Sequence, residues 1–396
     1  MSSRPTWAEV SLPVLCANFR AIQQHVGPEV IVCAVVKADA YGHGTVECAR
    51  ALESAGAEWF GVTCTEEGVQ LREAGVRRRI LVMTGIWRGE ESEIIRHGLT
   101  PAVWEGWHIE ALAQAASGRA AQLPLHVKVD TGMGRLGVTV SDLPAFLARM
   151  KSARNLAFEG LFTHLASSEN PQADDLTQQL SAFQQASETV RNAGVSPAYC
   201  HLANSAAIVS RPESWKTNHG NARSMVRPGI SLYGYYLPFA APVRQQPDVQ
   251  PVLTWKTRVI CLRSLSAGQR VGYNGTWTAA RQSKIAVLPV GYADGLNRML
   301  SSRGRVIVRG RYARMVGRVS MDITIIDVTD IPNVEVGDEV VLIGSSGQLS
   351  ITAAEHAALA GTIPYEILCN ISKRVPRRYV AETDVPLPRS IKTATR

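Results

Sequence analysis

Along its first 240 residues the chain repeats one pattern, in which a short continuous apolar run is followed by a stretch with apolar residues three and four apart. The runs are residues 31–37 (IVCAVVK), 58–63 (EWFGVT), 79–84 (RILVMT), 100–104 (TPAVW), 123–131 (LPLHVKVDT), 158–165 (FEGLFTHL), 197–204 (PAYCHLAN) and 225–234 (MVRPGISLYG). Apolar runs of this length suit strands buried on both faces, the kind a parallel sheet uses. Segments such as ECARALESAG, EEGVQLREAG and DDLTQQLSAFQQASETVRNAG lie between them, with helical spacing and a glycine stop. Eight such strands alternating with helices predict an α/β fold whose N-terminal part is a (β/α)8 TIM-type barrel.

Near residue 240 the texture changes. LPFAAPVRQQPDVQPVL carries four prolines and suits a linker. Beyond it, WKTRVICLRSL, SKIAVLPVGYADG, GRVIVRG, RYARMVGRVSMDITIIDV and DEVVLIG are short, β-branched and punctuated by turns, which predicts a C-terminal all-β domain with one helical piece, TAAEHAALAG. The expected division is 1–240 for the barrel and 241–396 for the β domain, with the first ten or so residues packing on the latter.

Composition narrows the setting without naming a function. Of the 396 residues 45% are hydrophobic and 19% charged, as in ordinary globular proteins. The longest apolar stretches fall short of the ~20 residues that span a bilayer, and the N-terminus lacks a basic segment followed by an apolar one, so a cytoplasmic protein away from membranes is expected. Seven scattered cysteines without a C-x-x-C pair read as reduced small hydrophobes. The net charge of +8 is distributed. Its one dense group, Lys373, Arg374, Arg377 and Arg378, suits a solvated face or a subunit contact better than nucleic acid, since no aromatic residues interleave with it.

In a barrel of this type the active site lies at the C-terminal ends of the strands. The first strand delivers Lys37 into KADAYGHG, with Tyr41 just beyond. The fifth carries Lys128 and Asp130 and runs into TGMGRLG with Arg135; the sixth ends in His164. The seventh brings His201, Asn204 and Ser205, and the eighth Arg227, Gly229 and Ile230. A lysine with apolar neighbours loses hydration, its pKa falls, and it becomes a nucleophile or Schiff-base former; the alternative is a strand-end lysine reaching solvent. Phosphate sites in such barrels follow strands seven and eight, where Ser205 offers a hydroxyl and Gly229 allows close backbone approach, although a helix cap and a turn glycine would look the same singly. Lysine, phosphate site and arginine together suggest pyridoxal phosphate. No H-E-x-x-H, Cys/His cluster or carboxylate pair recommends a metal enzyme or a glycosidase.

VVKADAYGHG, KVDTGMGRLG, THLA, HLANSAA, VRPGISLYG, GYADG, the MD of VSMDITIIDV and YE followed by ISKRVPR stand in the order found in alanine racemases, and over nearly its whole length the chain resembles that family of fold-type III pyridoxal-phosphate enzymes. The resemblance implies L-alanine to D-alanine interconversion by two bases on pyridoxal 5′-phosphate, supplying D-alanine for peptidoglycan. It implies that Lys37 forms the Schiff base and is one base, and that Tyr273, in VGYNGTW, is the other, contributed by the partner subunit of a homodimer. Arg227 would face the pyridine nitrogen and His164 the ring. Tyr41, Asn204, Ser205, Gly229, Ile230 and Tyr365 would serve the cofactor, chiefly its phosphate. Arg135 would sit beside Tyr273, while Tyr292 and Met321 of the partner subunit would line the substrate entrance. Lys128 matches a position often carbamylated in the family; the alternative is a plain lysine paired with Asp130. Other possibilities are a broader amino-acid or serine racemase, a fold-type III decarboxylase and a non-catalytic pyridoxal-phosphate carrier. The intact β domain with its Tyr273 argues against the last two.

Overall fold

The computed structural model describes residues 4–216 and 220–380. Residues 1–3 and 381–396, on which the ends of the expected β domain fall, and residues 217–219 lie outside the described residues.

The first strand, β1 (Thr6–Ser11), precedes nine others in the N-terminal part: β2 (Ile31–Val35), β3 (Trp59–Val62), β4 (Arg79–Val82), β5 (Thr100–Val103), β6 (Leu123–Asp130), β7 (Val138–Thr139), β8 (Leu156–Phe162), β9 (Tyr199–His201) and β10 (Arg223–Val226). Eight of them form a closed parallel barrel in the order β5, β4, β3, β2, β10, β9, β8, β6, with β5 pairing β6 to complete the circle. The short β7 lies parallel on the end of β6. All eight apolar runs thus become barrel strands. The eighth is shorter than its run, because at Pro228 the ladder loses a donor and Ile230–Tyr233 winds into a 3-10 turn instead.

Helices cover the barrel for the reason their spacing gave. Thr45–Ser54 buries Thr45, Cys48, Ala49 and Leu52, and Asp174–Asn192 buries Leu176, Phe183, Ala186 and Val190, so each presents one apolar stripe to the strands. Inside the barrel, Ile31, Cys33, Trp59, Leu81 and Met225 make an apolar cluster supplied by four neighbouring strands. On the opposite wall β6, β8 and β9 place His126, Phe162 and His201, with the two imidazoles in contact and Phe162 stacked on His201 at 4.6 Å.

Residues 237–252 carry no helix or strand. The C-terminal domain follows, built on a long sheet whose order runs from Cys261–Leu265 through Ser283–Leu288, Thr324–Asp327, Arg311–Met315, Arg305–Val308 and Glu339–Ser346 to Leu253–Arg258. The N-terminal β1 belongs to this sheet, antiparallel to Leu253–Arg258 and parallel to Arg377–Val380. Two helices, Ala353–Ala360 and Pro364–Cys369, interrupt the β structure, and the second lies against the turn after β2. Among the described residues no helix is long and apolar enough to cross a membrane.

Candidate active site

The apolar run of β2 ends at Val35, and Lys37 opens a turn of unusual hand. Ala38, Asp39, Ala40 and Tyr41 all have φ between 51° and 54° with ψ between 38° and 52°. For non-glycine residues this left-handed conformation costs roughly 1–2 kcal/mol each, so contacts from elsewhere must hold it. They do. Glu67 accepts the N–H of Ala38 on Oε1 at 2.7 Å and that of Thr63 on Oε2 at 2.7 Å. Asp39 Oδ1 accepts the N–H of Thr45 at 2.9 Å, and Arg377, from the C-terminal domain, donates its Nε–H to the carbonyl of Gly42 at 2.9 Å. The Tyr41 ring packs on Tyr233 and Tyr365.

The turn directs Lys37 into a cavity of about 160 Å³ at the C-terminal end of the barrel, whose lining includes Tyr41, Lys128, Arg135, His164, Asn204, Ser205, Arg227, Gly229, Ile230 and Tyr365. Burial lowers the pKa of Lys37, the Arg135 charge lowers it further, and Glu67 partly offsets both. On one side Ser205 Oγ accepts the N–H of Gly229 at 2.8 Å and the hydroxyl of Ser231 at 3.1 Å. With those bonds received, its own proton is the one left to give. Asn204 caps the following turn, Ser205–Ser210, by accepting the N–H of Ala207. A Cβ added at Gly229 would meet the Tyr41 hydroxyl at 2.3 Å, so only glycine lets the two approach. Burial raises the pKa of Tyr41 and of Tyr365, so both phenols stay protonated and able to donate.

On the other side, buried Arg227 donates Nη1–H to His201 Nδ1 at 2.7 Å and Nη2–H to the carbonyls of Thr163 and Leu202 at 2.7 and 3.1 Å, with His164 Nδ1 at 3.5 Å. Burial lowers the Arg227 pKa to about 10, which leaves it charged at neutral pH. Burial, then the Arg227 charge, pushes His164 and His201 well below the usual imidazole range, so both are neutral. Lys128 is buried, and burial, followed by the charges of Arg227 and Arg135, lowers its pKa to about 8. Asp130 does not pair with it; its Oδ1 accepts the N–H groups of Gly132 and Gly134 instead. Lys37, Lys128, Arg135 and Arg227 thus face one small space in which Glu169 is the single acidic lining residue among those described. Cationic charge on one wall and neutral donors on another suit a ligand with an anionic group and a reactive carbonyl.

Tyr273, Tyr292 and Met321 are not brought to this cavity. They stand on the C-terminal domain, 70%, 43% and 53% exposed. Tyr292 and Met321 lie on adjoining loops, the N–H of Ala293 bonding the carbonyl of Met321, and Gly272 before Tyr273 backs onto Gly317 and Arg318. Asn274 takes φ +61°, the hand that asparagine tolerates. Sequence reasoning missed Glu67, whose role depends on a distant backbone N–H and leaves no local signal. It also missed His126, for which β6 offers one: His126, Lys128 and Asp130 alternate, so all three share a face.

The family model for the alanine racemase N-terminal domain matches residues 10–237, and that for the C-terminal domain residues 252–379. The alanine racemase of Halothermothrix orenii is 42% identical over 377 residues, 95% of this chain and 97% of that protein, and that of Symbiobacterium thermophilum is 43% identical over 380 residues, 96% and 98% of the two chains. Among solved structures, the Clostridium difficile alanine racemase superposes with a TM-score of 0.88 at 31% identity, covering 96% of this chain and 97% of the other. The enzyme from a D-cycloserine-producing Streptomyces lavendulae gives 0.87 at 32% identity, covering 96% and 98%. With both domains matched in order and the likeness covering 95–96% of its length, the chain belongs to the alanine racemase family.

Proposed function

We propose that this protein interconverts L-alanine and D-alanine with pyridoxal 5′-phosphate, as a cytoplasmic homodimer whose D-alanine serves peptidoglycan synthesis. The observation that carries the proposal is the meeting of Lys37, its pKa lowered by burial, with the Ser205, Gly229, Tyr41 and Tyr365 cradle and with charged Arg227 in one cavity. The residues fit the cofactor. Tyr41, Ser205, Gly229, Ile230 and Tyr365, steadied by Asn204, would hold the phosphate. Arg227 would face the ring nitrogen, His164 the ring, and Lys37 the carbonyl carbon. When bound, pyridoxal phosphate supplies the electron sink for the charge left by the departing α-proton.

The remaining work falls to the chain itself. Racemisation removes a proton from one face of the α-carbon and returns one to the other, so it needs two bases. Lys37 serves one face, its lowered pKa favouring the neutral amine. Tyr273 of the partner subunit serves the other, with Arg135 beside it as a fixed cation. Tyr292 and Met321 of the partner subunit frame the entrance. The exposure of these three residues on neighbouring loops supports that arrangement, since a subunit contact would cover them. Arg227 keeps its proton at neutral pH, so it would donate a hydrogen bond to the ring nitrogen without protonating it. Seven free cysteines are in keeping with a reducing compartment.

Lys128 completes the site as a carbamate. Its lowered pKa leaves about a tenth of the amine neutral at pH 7. That neutral amine attacks carbon dioxide, forming the N–C bond and releasing a proton. The charge changes from positive to negative and turns repulsion of Arg135 into attraction.

The test is a racemisation assay of the dimeric holoenzyme with both enantiomers of alanine, serine and lysine. Turnover of alanine far above the others supports the proposal. Comparable turnover of serine or lysine would replace it with a broader racemase, and turnover of none would replace it with a carrier.

A further inference from the structure

Arg227 is the mouth end of a chain of polar contacts that crosses the barrel interior. Its Nη1–H is given to His201 Nδ1 at 2.7 Å, His201 Nε2 lies 2.8 Å from His126 Nδ1, and His126 Nε2 lies 3.6 Å from Glu159 Oε2. Glu159 is held in turn by Arg79, Oε1 and Oε2 accepting from the two terminal nitrogens at 2.6 and 2.5 Å. Arg79 opens β4, so the chain ends at the opposite mouth of the barrel from Lys37.

Chemistry sets the direction of each hydrogen bond, while the 3.6 Å approach of His126 Nε2 to Glu159 is an electrostatic contact just beyond hydrogen-bond reach. A guanidinium only donates, so His201 must accept on Nδ1 and carry its proton on Nε2. That proton is given to His126 Nδ1, which leaves the His126 proton on Nε2, facing the Glu159 carboxylate. The reverse tautomer at either ring would set two donors against each other where both imidazoles are wholly buried. Burial lowers the pKa of His126 and of His201, which keeps the rings neutral and the tautomers well defined.

The backbone is shaped to allow it. Between β6 and β8 Leu125 pairs Phe158 while His126 pairs Gly160, so Glu159 is the extra residue of a bulge and is turned toward the His126 ring. A Cβ at Gly160 would lie 2.5 Å from that ring, so only glycine leaves room for it. The Arg79 guanidinium lies over Trp59 at 4.4 Å, and Trp59 packs on His126 at 5.2 Å.

We infer that Glu159 is a positioning residue for the reaction, acting through His126 and His201 to fix the donor geometry and charge of Arg227 at the cofactor ring. The inference rests on the proposed placement of Arg227 opposite the ring nitrogen. A carboxylate at the far end makes each imidazole a better acceptor in turn, and the last one steadies the Arg227 cation. Arg79 moderates that effect by neutralising part of the Glu159 charge.

The experiment is nitrogen NMR of the holoenzyme carrying labelled histidine and labelled pyridoxal phosphate. In the unaltered enzyme His126 and His201 should each show a protonated Nε2 and a bare Nδ1; a protonated Nδ1 on either ring overturns the inference without any variant. In Glu159→Gln the His201 Nδ1 and cofactor ring-nitrogen signals should shift, and in Arg79→Met they should shift in the opposite sense, a reversal that loss of packing would not produce. Should Glu159→Gln fail to fold, Arg79→Met alone carries the measurement. If Arg227→Lys moves the ring-nitrogen signal and neither remote variant does, the inference fails while the cofactor placement stands. If Arg227→Lys leaves the signal unchanged, the placement fails and the inference falls with it.

Discussion

Glu67 and Ala38 are joined by a 2.7 Å hydrogen bond in which the carboxylate accepts the backbone N–H immediately after Lys37. The other carboxylate oxygen takes the N–H of Thr63, at the end of the neighbouring barrel strand. One side chain therefore ties the left-handed turn to the wall beside it, and the direction of Lys37 depends on that tie.

Glu67→Ala should therefore act on the turn before the chemistry. Removing a charged acceptor from two backbone donors should destabilise the protein by about 2 kcal/mol or more, read by denaturant unfolding. Pyridoxal-phosphate affinity should fall with it, read from visible absorbance after dialysis. Unchanged stability and affinity would show that the turn holds without Glu67.

Gly229→Ala places a methyl group 2.3 Å from the Tyr41 hydroxyl, and Tyr41 is hemmed in by Tyr233 and Tyr365. Overpacking of this kind costs about 1–3 kcal/mol. The expected result is a roughly tenfold to hundredfold rise in the dissociation constant for pyridoxal phosphate, with the barrel otherwise folded by circular dichroism. Wild-type affinity would mean that this side of the cavity does not hold the phosphate.

Lys128 gives a pH signature. Its folded pKa of about 8 lies below the ordinary 10.5, so between those values the unfolded chain binds more protons than the folded one. Stability therefore rises with pH across that window, and below it a burial penalty of about 3 kcal/mol persists. In buffer stripped of carbon dioxide, Lys128→Met should flatten this slope and stabilise the protein at neutral pH. With bicarbonate present, the native protein should gain the mass of one carbon dioxide under gentle ionisation. An unaltered slope in Lys128→Met would count against the lowered pKa, and an unaltered mass against the carbamate.

Tyr273→Phe removes a hydroxyl from a side chain that is 70% exposed in the single chain. Stability should change little, while racemisation falls by orders of magnitude, and by the same factor in kcat/KM for both directions because the two enantiomers have equal free energy. Hydrogen exchange at the α-carbon of one enantiomer should survive, since Lys37 is untouched. Equal loss of exchange from both enantiomers would contradict separate bases on separate faces.

Much of the architecture was legible before any coordinates. Most barrel strands are largely apolar because they are buried on both faces, and alternation with amphipathic helices leaves few topologies open. Once the barrel is inferred, strand polarity sends every C-terminal residue to one end, which is why Lys37, Lys128, His164, Asn204, Ser205, Arg227 and Gly229 could be grouped from sequence alone. Tyr41 and Arg135 were placed on the turns just beyond those strands, Tyr365 came from motif resemblance alone, and the cavity brings all three to the same place. For Tyr273, Tyr292 and Met321 the single chain provides exposure and mutual proximity, not a place in its own cavity.

What the sequence determined by itself was therefore burial and period: two domains, eight parallel strands and the roster of polar residues at one end of the barrel. Tertiary structure alone decided the left-handed path of Ala38 to Tyr41, the bulge that turns Glu159 toward His126, and which strands β1 pairs with in the C-terminal domain on which the first residues were expected to pack. The physical reason is common to all three. A local apolar pattern reports which face of a segment meets the core, whereas the sign of a backbone dihedral, the aim of a bulged side chain and the partner of an edge strand are set by hydrogen bonds to residues far away in the chain. Glu67 and Arg377 hold the turn from either side, and neither contact has a counterpart in the local sequence around Lys37.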